Sequence, residues 1–172
     1  MSVKESARCA AATRQGRGPQ CRNITVIYSE FCASHTRHLL EMALKPSGIP
    51  GAGRGLFTLK AIKKGATIVV YTGERVTQAE YDERPSGYGV AIPGEMVIDG
   101  RSTQSSLGRY ANDCRAANRR AGHCSGNNAE LVYDEKPFKL RIQAMTNIPA
   151  NSEVLVSYGA RYWKTHHHTG KH

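Results

Sequence analysis

Ile148-Pro149-Ala150-Asn151-Ser152-Glu153-Val154-Leu155-Val156-Ser157-Tyr158-Gly159 reads as a polar turn leading into a short apolar strand that stops at a tyrosine and a glycine. Its β-branched and alternating apolar residues fit a pleated, half-buried surface. The same texture recurs upstream. GLFTLKAI from Gly55, TIVVYTGERV from Thr67, GYGVAI from Gly87, EMVIDG from Glu95, NAELVYD from Asn128 and KLRIQAMTNI from Lys139 are each strand-like and set apart by Gly and Pro. Pro93-Gly94 is a turn dipeptide that predicts a hairpin between GYGVAI and EMVIDG. Seven short strands with few helices imply a mostly β domain of small folded-over sheets.

Four zones follow from texture. Residues 1–36 form a basic Cys/His segment. The spacing of Leu39, Leu40, Met42 and Ala43 predicts a linker helix over 37–47, stopped by Pro46. The β-rich domain covers 48–163, and 164–172 is a polar, His-rich tail. Hydrophobic residues make up 40% of the 172, enough for a real core. No apolar run reaches the roughly 20 residues that a membrane span needs. The first residues have charge but no apolar signal core, so the chain is expected inside the cell and not secreted.

A formal net charge of +10 implies either attraction to polyanions, nucleic acid above all, or simply a well-solvated basic surface. The cysteines, five in number, disfavour a disulfide framework and favour metal ligation or free thiols. Cys9, Cys21, Cys32 and His35 offer three thiolates and an imidazole, a complement suited to tetrahedral structural Zn2+. The close Cys32/His35 pair favours that reading, whereas the long spacings before it leave free cysteines in a basic arm as the alternative. This zone resembles a short Cys/His motif, with Thr13, Gly16 and Cys21 near its centre.

Other segments supply chemistry. Gly51-Ala52-Gly53-Arg54-Gly55-Leu56-Phe57 is a glycine-rich turn, and Tyr71-Thr72-Gly73-Glu74 ends a buried strand. Arg109-Tyr110-Ala111-Asn112-Asp113-Cys114 is followed, after an insertion, by Asn127-Asn128-Ala129-Glu130-Leu131. The segment from Ile148 to Gly159 completes the series. In this order they resemble the SET domain family of protein-lysine methyltransferases, with its G-x-G, its Y-x-G-E, its R-(F/Y)-x-N-H-x-C with P-N-(C/A)-x-(L/F/V), and its I-P-x-x-x-E-(L/V)-x-x-x-Y-G.

The resemblance implies a SET-type β-clip fold with a pseudoknot, in which the strand ending at Tyr158 threads beneath the Asn112 loop. It implies transfer of a methyl group from S-adenosylmethionine to a lysine side chain. Tyr158 would be the catalytic tyrosine, with Val156 and Tyr162 beside it along the lysine channel. Gly53, Arg54 and Gly55 would line the donor pocket, where glycine lets backbone carbonyls approach a ligand. Asn112 would bind the amino acid end of the donor, the backbone at Asp113 would read the adenine edge, and Trp163 would stack on it. Tyr71 and Tyr110 read equally as pocket walls and as core.

Three departures from the family pattern stand out. Asp113 replaces the usual His. The basic insertion RAANRRAGHCSG reads as a solvated loop or as a contact to a nucleic acid backbone. Val156 occupies the place where many members carry the aromatic that sets methylation degree, so mono-, di- and trimethylation all stay open. The cysteine cluster that often follows the domain is missing.

The implied substrate is a lysine-containing protein, most simply a histone, which places the chain in the nucleus and otherwise in the cytoplasm. A basic enzyme repels a basic tail unless Glu74, Glu80, Asp82, Glu83 and Glu95 gather along the groove; alternatively, the positive surface docks on nucleosomal DNA. The rival from another class is a catalytically silent SET-like module that binds chromatin or nucleic acid through its basic N-terminal zone.

Overall fold

The computed structural model describes residues 40–102, 106–136 and 138–166. The Cys9, Cys21, Cys32 and His35 set and the segment 1–36 lie outside them. Most of the predicted strands are found, in small antiparallel sheets: β1 (Met42–Pro46), which was not predicted, with β2 (Arg54–Thr58); β3 (Thr67–Val70), β8 (Lys139–Ala144) and β7 (Ala129–Asp134); and β4 (Glu74–Thr77), β6 (Met96–Asp99) and β5 (Gly89–Ile92). The described helices are short: α1 (Gln78–Glu83), α2 (Ala116–Arg120), α3 (Gly159–His166) and a 3-10 turn at Leu107–Tyr110.

Two compact units share these elements, Tyr71–Arg109 in one, and Met42–Val70 with the chain from Tyr110 in the other. In the first, β5 and β6 form the expected hairpin, with Gly94 and Glu95 at positive φ in its turn. Val76, Ile92, Val97, Ile98 and Leu107 are among its buried apolar residues. Thr77 and Glu80 close a reciprocal capping box that starts α1. The fully buried Asp99 accepts from Ser86 Oγ at 2.5 Å and from the Arg101 amide at 3.0 Å, and pairs with the Arg101 guanidinium.

In the second unit, Leu56, Ile142, Ile148 and Val154 are fully buried. Several expectations fail for tertiary reasons. The linker helix over 37–47 does not form across Met42–Pro46, which is strand β1, paired from Met42↔Thr58 to Pro46↔Arg54. Glu41 at φ 53 breaks any helix running in from Leu40, and the ladder with β2 overrides the helical propensity of Met, Ala, Leu and Lys. The stretch from Glu153 is not a ladder strand either. It makes single bridges: Phe57↔Glu153 antiparallel, Asn112↔Leu155 parallel and Ala129↔Val156 parallel. TIVVYTGERV also divides, into β3 and β4 of different sheets. α3 carries the chain helically through His166.

Candidate active site

The segment Ser152–Val156 is held on both sides by main-chain bonds. Toward β2, the Val154 amide donates to Leu56 O at 2.7 Å and the Thr58 amide to Ser152 O at 2.9 Å. Toward the motif around Asn112, the Val156 amide donates to Asn112 O at 2.8 Å, and the Asn128 and Ala129 amides both donate to Leu155 O at 3.0 Å. The Asn128 side chain adds a two-point clamp, giving its amide hydrogen to Glu153 O at 2.8 Å and accepting from the Leu155 amide at 2.9 Å. Such pairing leaves few orphaned polar groups in a segment whose Val154, Leu155 and Val156 are buried. Residues distant in sequence are thereby gathered: Gly53–Gly55, Asn112, Asp113, Val156 and Tyr158.

Tyr158 is half-buried, and its hydroxyl donates to Ala111 O at 2.9 Å. It heads an aromatic group carried by α3. The Tyr162 ring meets it edge-on at 4.7 Å, and the Trp163 ring stacks on it at 5.8 Å. The Arg115 guanidinium lies 4.0 Å over Trp163.

The glycines of Gly53-Arg54-Gly55 are needed for conformation and packing. Gly53 has φ +68 with open space around it, so backbone conformation demands the glycine. At Gly55 a Cβ would come within 2.7 Å of Glu153 Cδ. Glu153 binds Ser47 Oγ at 2.7 Å, the Gly48 amide at 3.0 Å and the Asn112 side-chain amide at 3.1 Å. The same Asn112 amide group reaches Arg54 O at 3.1 Å. Glu153 and Asn128 thus build the site, although the motif text alone assigns them no role. The only signal was their presence inside two matched segments.

Asp113 is 9% exposed. Its carboxylate accepts from the Tyr158 amide, from Trp163 Nε1 and, at 3.0 Å, from the Asn127 amide group. Beside it opens a cleft of about 480 Å³, lined by Asp113, Arg115, Arg119, Ser157 and Trp163 among others.

Tyr71 and Tyr110 are both buried, as core tyrosines would be. Tyr71 lies in the unit Tyr71–Arg109, where its hydroxyl donates to Tyr88 O at 2.7 Å and burial holds the phenol far above its ordinary pKa. Cys114 and Cys124 are joined by a disulfide, their Cα atoms 6.0 Å apart, which corrects the expectation of free or metal-bound thiols for this pair. The bridge packs against Ile49 and Leu155 and ties down the basic insertion, which carries α2 instead of running as a plain loop. Cys114 follows Asp113 directly, one place earlier than the family spacing sets its cysteine. Among the described residues no group of three or more His, Cys, Asp or Glu could hold a metal ion, and no helix is long and apolar enough to cross a membrane.

The family model of the SET domain matches residues 53–159. Similar solved structures include ctPRC2 in complex with H3K27me3 and H3K27M, at TM-score 0.58 and 21% identity over 69% of this chain. They also include ctPRC2 in an autoinhibited conformation bound to S-adenosylmethionine, at TM-score 0.55 and 21% identity over 72% of this chain. An active polycomb repressive complex 2 in the stimulated state matches at TM-score 0.56, again at 21% identity, over 69% of this chain. The matched parts are only 14 to 16% of those chains, so the likeness is one of fold.

Proposed function

Because the chain belongs to the SET domain family, whose members are typically S-adenosylmethionine-dependent lysine methyltransferases, we propose that it is a protein-lysine N-methyltransferase acting on a histone tail. One observation carries this reading: the bonded segment up to Val156 brings Tyr158 beside Ala111, Asn112 and Asp113. The ctPRC2 structures of like fold, one with H3K27me3 and one with S-adenosylmethionine, support the same donor and substrate class.

The residues present fit the donor. The cleft of about 480 Å³ suits a ligand of its size. Among its lining residues, the Trp163 indole would meet an adenine, and Arg115 and Arg119 would offer charge toward a carboxylate. When bound, the donor supplies an electrophilic methyl on a sulfonium, whose charge lowers the pKa of a neighbouring lysine. A free lysine, with a pKa of about 10.4, needs roughly 4–5 kcal/mol to be neutral at pH 7.

Tyr158 is the catalytic tyrosine of this proposal. Its hydroxyl donates to Ala111 O, which fixes the phenol in the orientation from which it would aim the amine. Val156 and Tyr162 flank the lysine channel. No dedicated general base is assigned.

Charge is unevenly distributed along the chain. Within Tyr71–Arg109, six acidic residues stand against four arginines, and Glu74, Glu80, Asp82, Glu83 and Glu95 are all exposed. The other unit carries the positive excess, which suits a nucleosomal DNA contact and a nuclear workplace. We also propose structural zinc on the N-terminal Cys9, Cys21, Cys32 and His35. It is checked by metal analysis of the chain against Cys32→Ser, where equal metal content rejects it.

The function is tested by isothermal titration with S-adenosylmethionine, followed by tritium-methyl transfer to histones, nucleosomes and lysate. Donor binding and label on a histone lysine are expected. No donor binding would sink the enzyme reading, and binding without transfer to any substrate would favour the silent module.

A further inference from the structure

We infer that the Asp113 side chain is a positioning residue, which sets donor affinity through Trp163 and methyl transfer through the backbone of Tyr158. This rests on the methyltransferase reading for its consequence, but not for its geometry.

One carboxylate oxygen accepts two N–H groups, from Tyr158 and from Trp163 Nε1, each at 2.9 Å. The other accepts from the Asn127 amide group, whose own oxygen takes the Cys114 amide at 2.8 Å. Asp113 and Asn127 therefore lock one another across the insertion. A carboxylate has two oxygens with about four acceptor sites, whereas a neutral imidazole has a single acceptor nitrogen. The His usual at this place in the family could not hold three donors at once.

Burying a carboxylate is costly unless it is hydrogen-bonded throughout, and three N–H donors meet that need. Asp113 also sits just ahead of α3, where the positive end of the helix dipole favours an anion. Its bonds fix both the start of α3 and Trp163 one turn further along. The aromatic group of Tyr158, Tyr162 and Trp163, with Arg115 over the indole, is thus anchored on one side chain. Asp113 is the compensation for its own departure from the family pattern.

Trp163 is the only tryptophan, so indole signals report on it alone. In the full-length wild-type chain its indole N–H should give one nuclear magnetic resonance peak that exchanges with solvent at least about tenfold slower than a free indole. In Asp113→Asn and Asp113→His that protection should fall and the fluorescence should shift to the red. The donor KM should rise about tenfold or more, with kcat reduced as well. Asp113→His, though it restores the family residue, should do worse than Asp113→Asn.

An unprotected wild-type indole would overturn the inference even if every variant failed to fold. A folded Asp113→His with wild-type fluorescence and donor KM would overturn it too. If the indole is protected and responds to Asp113 but the wild-type chain binds no donor, the methyltransferase reading fails while the Asp113 anchor stands.

Discussion

Glu153 fills the space that a side chain at residue 55 would need, so that Gly55 and Glu153 are complementary in shape. Since Glu153 also holds Ser47, Gly48 and Asn112, crowding it should disturb all three. Gly55→Ala is expected to cost about 2–3 kcal/mol through overpacking. Gly53→Ala meets only backbone strain at φ +68, with nothing near the added methyl, and should cost about 1 kcal/mol. Denaturant unfolding of both variants checks the order; equal losses would refute the packing role of Glu153.

The bridge between Cys114 and Cys124 closes a short loop, with a sequence separation of 10. By the chain-entropy argument it should stabilise the folded state by about 2–3 kcal/mol. Cys124→Ser should therefore lower Tm, and a reducing agent should lower the wild-type Tm by a similar amount without affecting the variant. Alkylation of the denatured, unreduced chain should leave both residues unlabelled.

Burial raises the Tyr71 phenol well above its ordinary value near 10. The unfolded chain then ionises first as pH climbs, so the stabilising contribution is complete below pH 10 and is lost from there upward. Wild type should lose stability between pH 9 and 11 more steeply than Tyr71→Phe. The variant should start lower near neutrality, having lost the bond to Tyr88 O. Parallel slopes would contradict the burial argument.

The strands and the order of the motifs were legible because alternation and glycine punctuation are local signals. What failed depended on partners distant in sequence. Met42–Pro46 carries helix-favouring residues, and only the ladder with Arg54–Thr58 makes it a strand. The role of Asp113 could not be read because its donors come from Asn127, Tyr158 and Trp163. The disulfide was hidden by an odd cysteine count and by an expected reducing compartment, neither of which reports that the fold brings Cys114 to Cys124.

The central claim is that the Tyr158 hydroxyl, fixed on Ala111 O, orients the lysine amine. The direct measurement is tritium-methyl transfer from S-adenosylmethionine to histone substrate by wild type and Tyr158→Phe, alongside donor affinity for each. The account predicts that Tyr158→Phe loses kcat by about 100-fold or more while donor Kd changes less than about threefold. A Tyr158→Phe variant that transfers methyl groups at the wild-type rate would contradict it.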